Sequence, residues 1–164
     1  MTGPRATYRL QFGAAFPFAA ARSMVAYLAD LGVSHIYASP VFMARPGSTH
    51  GYDIVDPTQL NPELGSRADF DALVADLQAA KLGWIQDVVP NHMAFASENA
   101  WLMDLLENGP ASKYERFFDI QWDHPDESLR GRVLAPFLGS FYGEALEKGE
   151  IRLTYNADGL GIQY

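Results

Sequence analysis

The order in which short apolar runs and helical patterns alternate along the first half of the chain constrains its fold more than any other feature. In residues 7–12, Tyr8, Leu10 and Phe12 alternate with Arg9 and Gln11 ahead of Gly13, which predicts a strand and its stop. Across residues 18–31, Ala21, Met24, Val25, Leu28 and Leu31 recur at helical spacing and Gly32 follows as a C-terminal cap, which predicts one helix. Residues 33–39 form a compact apolar segment ended by Pro40, read as a second strand buried on both faces. Ser66 followed by Asp69 has the spacing of a capping box, and Phe70, Leu73, Val74 and Leu77 continue as one apolar stripe. This second helix is expected to close at Gly83. Residues 84–89 are the third strand, and Pro90 ends it because proline cannot donate to a sheet ladder.

Strands and helices alternating in this way predict an α/β fold with a parallel sheet and right-handed crossovers. Both doubly wound folds and (β/α)8 barrels are built from that unit. A doubly wound nucleotide-binding domain needs a glycine-rich turn or a phosphate-cradling lysine after its first strand, and this chain has Gly13-Ala14-Ala15-Phe16-Pro17 there. Beyond His92 the periodicity weakens. A helix over 99–108 and short strands over 119–122 and 150–155 are expected within a stretch rich in glycine, proline and aromatic residues, the pattern of an inserted subdomain.

Composition narrows the partners. Twenty acidic against 12 basic residues give a formal charge of −8, which argues against nucleic acid and leaves a neutral substrate compatible. Residues 1–10 carry no long apolar run, and no later stretch approaches the length of a membrane span, so neither a signal peptide nor a membrane partner is expected. The absence of cysteine fits a reducing, cytoplasmic setting. His35, His50, His92 and His124 lack zinc-site spacing, and no metal is expected.

Two segments carry polar chemistry. Asp87-Val88-Val89-Pro90-Asn91-His92 closes the third strand, and in a barrel the carboxyl ends of the strands meet at the active site. A structural use is equally open: Asp87 paired with an arginine, and Asn91-His92 capping the next helix. The second segment, His50-Gly51-Tyr52-Asp53, lies in a loop of roughly 25 residues, far longer than the usual two to six. Tyr52 could stack on a pyranose face while His50 and Asp53 hydrogen-bond hydroxyls. Alternatively, Gly47 and Gly51 turn the chain and Tyr52 covers the core.

The DVVPNH segment resembles the first signature of the α-amylase family, and HGYD resembles that family's substrate-stacking segment. A closer resemblance is to the maltooligosyl trehalose synthases within that family, carried by ATYRLQF, ARPGSTHGYDIVDPTQLNPELGS, QDVVPNHMA, FFDIQW and RVLAPFLG. It spans nearly the whole chain.

The resemblance implies the first three βα units of a (β/α)8 TIM barrel over residues 1–98 and, over 99–164, the start of the subdomain inserted after strand three. It implies a parent enzyme that converts the reducing-end α-1,4 linkage of a maltooligosaccharide to an α,α-1,1 linkage by retaining intramolecular transglycosylation. Asp87 and His92 would bind hydroxyls of the reacting sugar, Tyr52 would stack on it, His50 and Asp53 would complete the wall, and Asn91 would support the loop. The equivalent asparagine is a metal ligand in calcium-binding relatives, but this branch is expected to use neither metal nor cofactor. The catalytic carboxylates are expected on later strands, since a whole barrel takes about 250 residues. The chain alone is thus expected to be inactive, with an exposed edge strand prone to associate with another chain. Another α-amylase-family hydrolase or glucanotransferase, or a non-catalytic glycan-binding module, are the alternatives.

Overall fold

The computed structural model describes residues 3–157 and 159–164, which form two compact units divided between Phe118 and Asp119. In the first unit, strands β1 (Thr7–Leu10), β2 (His35–Ala38) and β5 (Gly83–Gln86) form a parallel sheet in the order β1-β2-β5. Helices α1 (Phe18–Ser23), α2 (Val25–Asp30) and α3 (Arg67–Ala79) make the crossovers, as the alternating pattern predicts. The connection between β2 and α3 holds strands β3 (Phe42–Ala44) and β4 (Ile54–Leu60), an antiparallel hairpin. Helix α4 (Ala100–Asn108) follows, capped by the fully buried Asn99, whose side chain accepts from Leu102 N and donates to Ala94 O.

The core lies between one face of the sheet and the helices. Leu10, Ile36 and Ala38 from the strands pack with Phe18, Ala21, Val25 and Leu28 from the first crossover and Leu73 and Leu77 from α3. At its centre Phe18 meets Phe70 edge-on at 5.2 Å and Phe12 at 5.5 Å, and Trp84 closes the group against both Phe12 and Phe70. The register pairs Arg9 with Tyr37 and Tyr37 with Ile85, so these side chains share the opposite face. That face is only half-covered, so β2 alternates buried and half-buried residues instead of being buried on both faces. An apolar run fills the helix side, while His35 and Tyr37 belong to the other. Gly83 keeps a side chain out of the way there: a Cβ would stand 2.1 Å from His35 Cδ2.

Several local expectations need correction. The helix over 18–31 is broken at Met24, whose N–H reaches Ala21 O in a tighter turn while the Ser23 hydroxyl bonds back to Ala20 O. Gly32, at φ 84°, then ends α2 in a Schellman turn, with Gly32 N on Ala29 O and Val33 N on Leu28 O. Helix α3 opens with the expected reciprocal Ser66–Asp69 capping box but does not close at Gly83. Its Schellman turn is made by Lys81, at φ 58°, with Leu82 N on Leu77 O. A left-handed conformation costs an L-residue about 1–2 kcal/mol. Lys81→Gly is therefore expected to raise the thermal midpoint by roughly 2–4 °C, read by calorimetry.

The second unit carries helix α5 (Tyr142–Glu147) and the antiparallel hairpin of β6 (Arg152–Asn156) and β7 (Gly159–Gln163). β6 matches the strand expected over 150–155. The strand expected over 119–122 does not form: among the described residues no strand pairs with this segment, and Trp122 O accepts from Gly131 N across the loop that follows it.

Candidate functional site

In a parallel sheet all carboxyl ends lie at one edge, and the polar cluster forms there. Asp87 immediately follows β5, and its N–H still bonds to Ala38 O, so the sheet ladder fixes its backbone. Gln86 adds a second tie by donating to Ser39 O. Three donors reach Asp87 Oδ2: the Tyr52 hydroxyl at 2.7 Å, the Tyr37 hydroxyl at 3.1 Å and Arg9 Nη1 at 3.2 Å. Arg9 Nη2 also donates to Tyr52 Oη at 2.9 Å and to Gln11 Oε1 at 3.2 Å, while its guanidinium carbon stands 4.8 Å from the centre of the Tyr37 ring. Strands β1 and β2, the end of β5 and the β3–β4 hairpin thus meet at one carboxylate.

These contacts set its charge. The hydrogen bond from Tyr52 holds the Asp87 carboxyl below the ordinary carboxylate range against the opposing effect of burial, and Arg9 and Tyr37 add to it. Tyr52 shifts the other way, raised first by its bond to the carboxylate. Burial works to lower Arg9, yet its bonds to Tyr52 and Asp87 raise it overall. Asp87 is therefore an ionised acceptor at neutral pH. It is unsuited to be a proton donor.

The HGYD segment is the tip of the hairpin. Arg45 N bonds to Asp53 O to close the turn, Ser48 donates to Asp53 Oδ1, and Gly51 N donates to Ser48 Oγ at 3.1 Å. Gly51 adopts φ 77°, and a Cβ there would lie 3.0 Å from Pro40 O, so glycine lets the tip lie against the end of β2 without the strain that another residue would bring. Tyr52 N donates to His50 Nδ1 at 3.0 Å, and the two rings stack at 6.0 Å. Gln11 Nε2 reaches His50 O at 3.3 Å and so ties the tip to the first strand. Tyr52 thus does not fill the core; its hydroxyl is held in the polar cluster and His50 stays more than half exposed beside it.

Four and five residues beyond Asp87, Asn91 and His92 are exposed, and among the described residues neither makes a hydrogen bond or ion pair. They do not cap α4, a task that Asn99 performs. The Asp–Arg pairing that a structural reading allowed is present, but it is one of three contacts to Asp87. Arg9 and Tyr37 were not anticipated as site residues. A charged residue inside the short strand Thr7–Leu10 was the available signal. Among the described residues, no group of three acidic or histidine side chains is placed to hold a metal ion, and no helix is long and apolar enough to cross a membrane.

Residues 22–152 match the family profile described as "Alpha amylase, catalytic domain". The chain belongs to the α-amylase family. Within it, a chain assigned as a maltooligosyl trehalose synthase in Mycobacterium tuberculosis is 40% identical over 94% of this chain. A crystal structure of a maltooligosyl trehalose synthase superimposes with a TM-score of 0.83 at 40% identity over 99% of this chain. The maltooligosyltrehalose synthase of Arthrobacter ramosus gives 0.79 at 34% identity over 96%. The chain spans 22%, 22% and 20% of the lengths of these relatives. An α-amylase catalytic domain is a TIM barrel, and β1, β2 and β5 with their crossover helices are the corresponding part of one.

Proposed function

We propose that this chain supplies one wall of the reacting sugar subsite in an enzyme that forms maltooligosyl trehalose from an α-1,4-glucan. The observation that supports this most is the convergence of Arg9, Tyr37 and Tyr52 on Asp87 at the carboxyl ends of parallel strands, where (β/α)8 enzymes place their chemistry. In this reading Asp87 accepts from a sugar hydroxyl, Tyr52 presents its ring to a pyranose face, His50 and Asp53 extend the wall from the hairpin tip, and His92 adds a second hydroxyl contact, with Asn91 in the connecting loop. Residues 99–164 begin the inserted subdomain of the family's layout, and the setting is cytoplasmic.

The reaction breaks an α-1,4 bond and re-forms the same anomeric carbon as an α,α-1,1 bond. Retention calls for two carboxyl groups roughly 5 Å apart, one attacking as nucleophile and one protonating the departing oxygen. An Asp87 kept ionised by three donors fits neither role of acid nor of free nucleophile, and fits that of a fixed acceptor that orients the ring. Water competes for the covalent intermediate, so the wall must also help to exclude solvent.

Isothermal calorimetry of the 164-residue chain with maltopentaose tests the reading. Wild-type chain is expected to bind without generating trehalose-ended product, and Tyr52→Ala to weaken binding about tenfold through loss of the stacking face. Affinity unchanged in Tyr52→Ala would remove this loop from the subsite, and trehalose-ended product from the chain alone would overturn its role as one wall of a larger site.

A further inference from the structure

We infer that Arg9 and Tyr37 are positioning residues that saturate one oxygen of Asp87, leaving the other, Oδ1, as the single acceptor offered to a sugar hydroxyl. A carboxylate has about four lone-pair sites, two on each oxygen. The three donors from Tyr52, Tyr37 and Arg9 all fall on Oδ2, so that oxygen has no capacity left. Among the described residues nothing donates to Oδ1. Rotation of the carboxylate would break three bonds at once, so the free oxygen keeps one direction.

Arg9 fixes more than the carboxylate. Its two terminal nitrogens reach Asp87 Oδ2 and Tyr52 Oη, and the second also reaches Gln11 Oε1, so one planar fork sets the distance between the carboxylate and the stacking ring. Tyr52 Oη both donates to Asp87 and accepts from Arg9, which holds the phenol in one orientation. A lysine could satisfy one of these acceptors but not the pair, because its ammonium is a point charge without the fork. With its guanidinium spent on three neutral or negative acceptors and lying over the Tyr37 ring, Arg9 is a strut within the site, not a receptor for an anionic ligand.

This inference rests on the proposal that Asp87 binds sugar, and the test separates the two. The chain and its Arg9→Met, Arg9→Lys and Tyr37→Phe variants are titrated with maltopentaose by calorimetry, and the Asp87 carboxyl is followed against pH by 13C NMR, with thermal unfolding as a control for folding. Tyr37→Phe, which removes one hydroxyl, is expected to move the Asp87 midpoint upward and to weaken binding several-fold; Arg9→Met is expected to weaken it at least about tenfold. Arg9→Lys keeps the charge and most of the Asp87 shift but leaves affinity reduced, because Tyr52 loses its donor. Affinity within twofold of wild type in Tyr37→Phe and Arg9→Met, or full recovery in Arg9→Lys, would overturn the positioning role. Failure of the wild-type chain to bind maltopentaose would count against the sugar reading itself; the strut then stands or falls on whether the Asp87 midpoint moves in Arg9→Met and Tyr37→Phe.

Discussion

Asp87→Asn is expected to weaken maltooligosaccharide binding by about 10–100-fold, the effect of losing a hydrogen bond to a charged acceptor. The amide cannot reproduce the arrangement in the structure. Oδ2 collects donors from Arg9, Tyr37 and Tyr52, and whichever way an asparagine is turned, its neutral oxygen is a weaker acceptor or its NH2 group faces other donors. The same variant separates the charge from the fold through its pH dependence. Because the folded-state pKa of Asp87 is depressed, its contribution to stability is fully present above the unfolded value of about 3.9 and is lost as pH falls through the folded value. The wild-type chain should therefore exceed Asp87→Asn in thermal midpoint near neutrality, with the gap narrowing below about pH 4. Asp56 and Asp69 are depressed as well, but they act alike in both proteins and cancel in the difference. A gap that stays constant from pH 7 to pH 3 would show that the carboxylate's charge does not organise this cluster.

The largest effect on stability is expected from Phe18→Ala, at about 3–5 kcal/mol. Phe18 is fully buried at the start of α1 and joins three parts of the first unit through Phe12 after β1, Phe70 on α3 and the other apolar residues of the core. Gly65, at φ 120°, brings the backbone close enough that a Cβ there would lie 3.4 Å from the Phe18 ring. The surroundings are therefore held by backbone as well as by side chains and can collapse only partly into the space left. A chain of this length should lose roughly 6–20 °C in thermal midpoint, measurable by calorimetry. The carboxyl-end cluster is on the opposite face of the sheet, so at temperatures where the variant remains folded its Asp87 titration should match wild type.

What was legible in the sequence follows from how local each signal is. The Ser66–Asp69 capping box and the cap at Gly32 depend on residues a few positions apart, and both are where the pattern placed them. The βαβαβ order was legible because strands and helices bury apolar residues at different periods. The β3–β4 hairpin was hidden for the opposite reason: β3 has three residues, its register shifts twice, and β4 contains Pro57, which a period-based reading takes as a break. The close of α3 at Lys81 was also hidden, since glycine is the expected occupant of a left-handed cap and Gly83 stood two residues away.

The site divides along the same line. Asp87 and Tyr52 were visible because they sit in motifs, at a strand end and in an unusually long loop. Arg9 and Tyr37 were not, because their part depends on a register between strands far apart in sequence, which aligns Arg9 beside Tyr37 and turns both toward the residue after β5. No reading of one strand at a time contains that information. A lone arginine within Thr7–Leu10 becomes meaningful only once the neighbouring strand supplies an aromatic ring and the third a carboxylate.

The most direct test of a sugar subsite at this edge is an NMR titration of the isotopically labelled chain with maltopentaose. The backbone amides of Gln11, Gly51, Tyr52, Asp87 and Val88 are predicted to shift together with a single dissociation constant, and those of α5 and the β6–β7 hairpin to stay in place. Saturating maltopentaose that leaves these five amides unmoved, or that shifts only residues beyond Phe118, would contradict it.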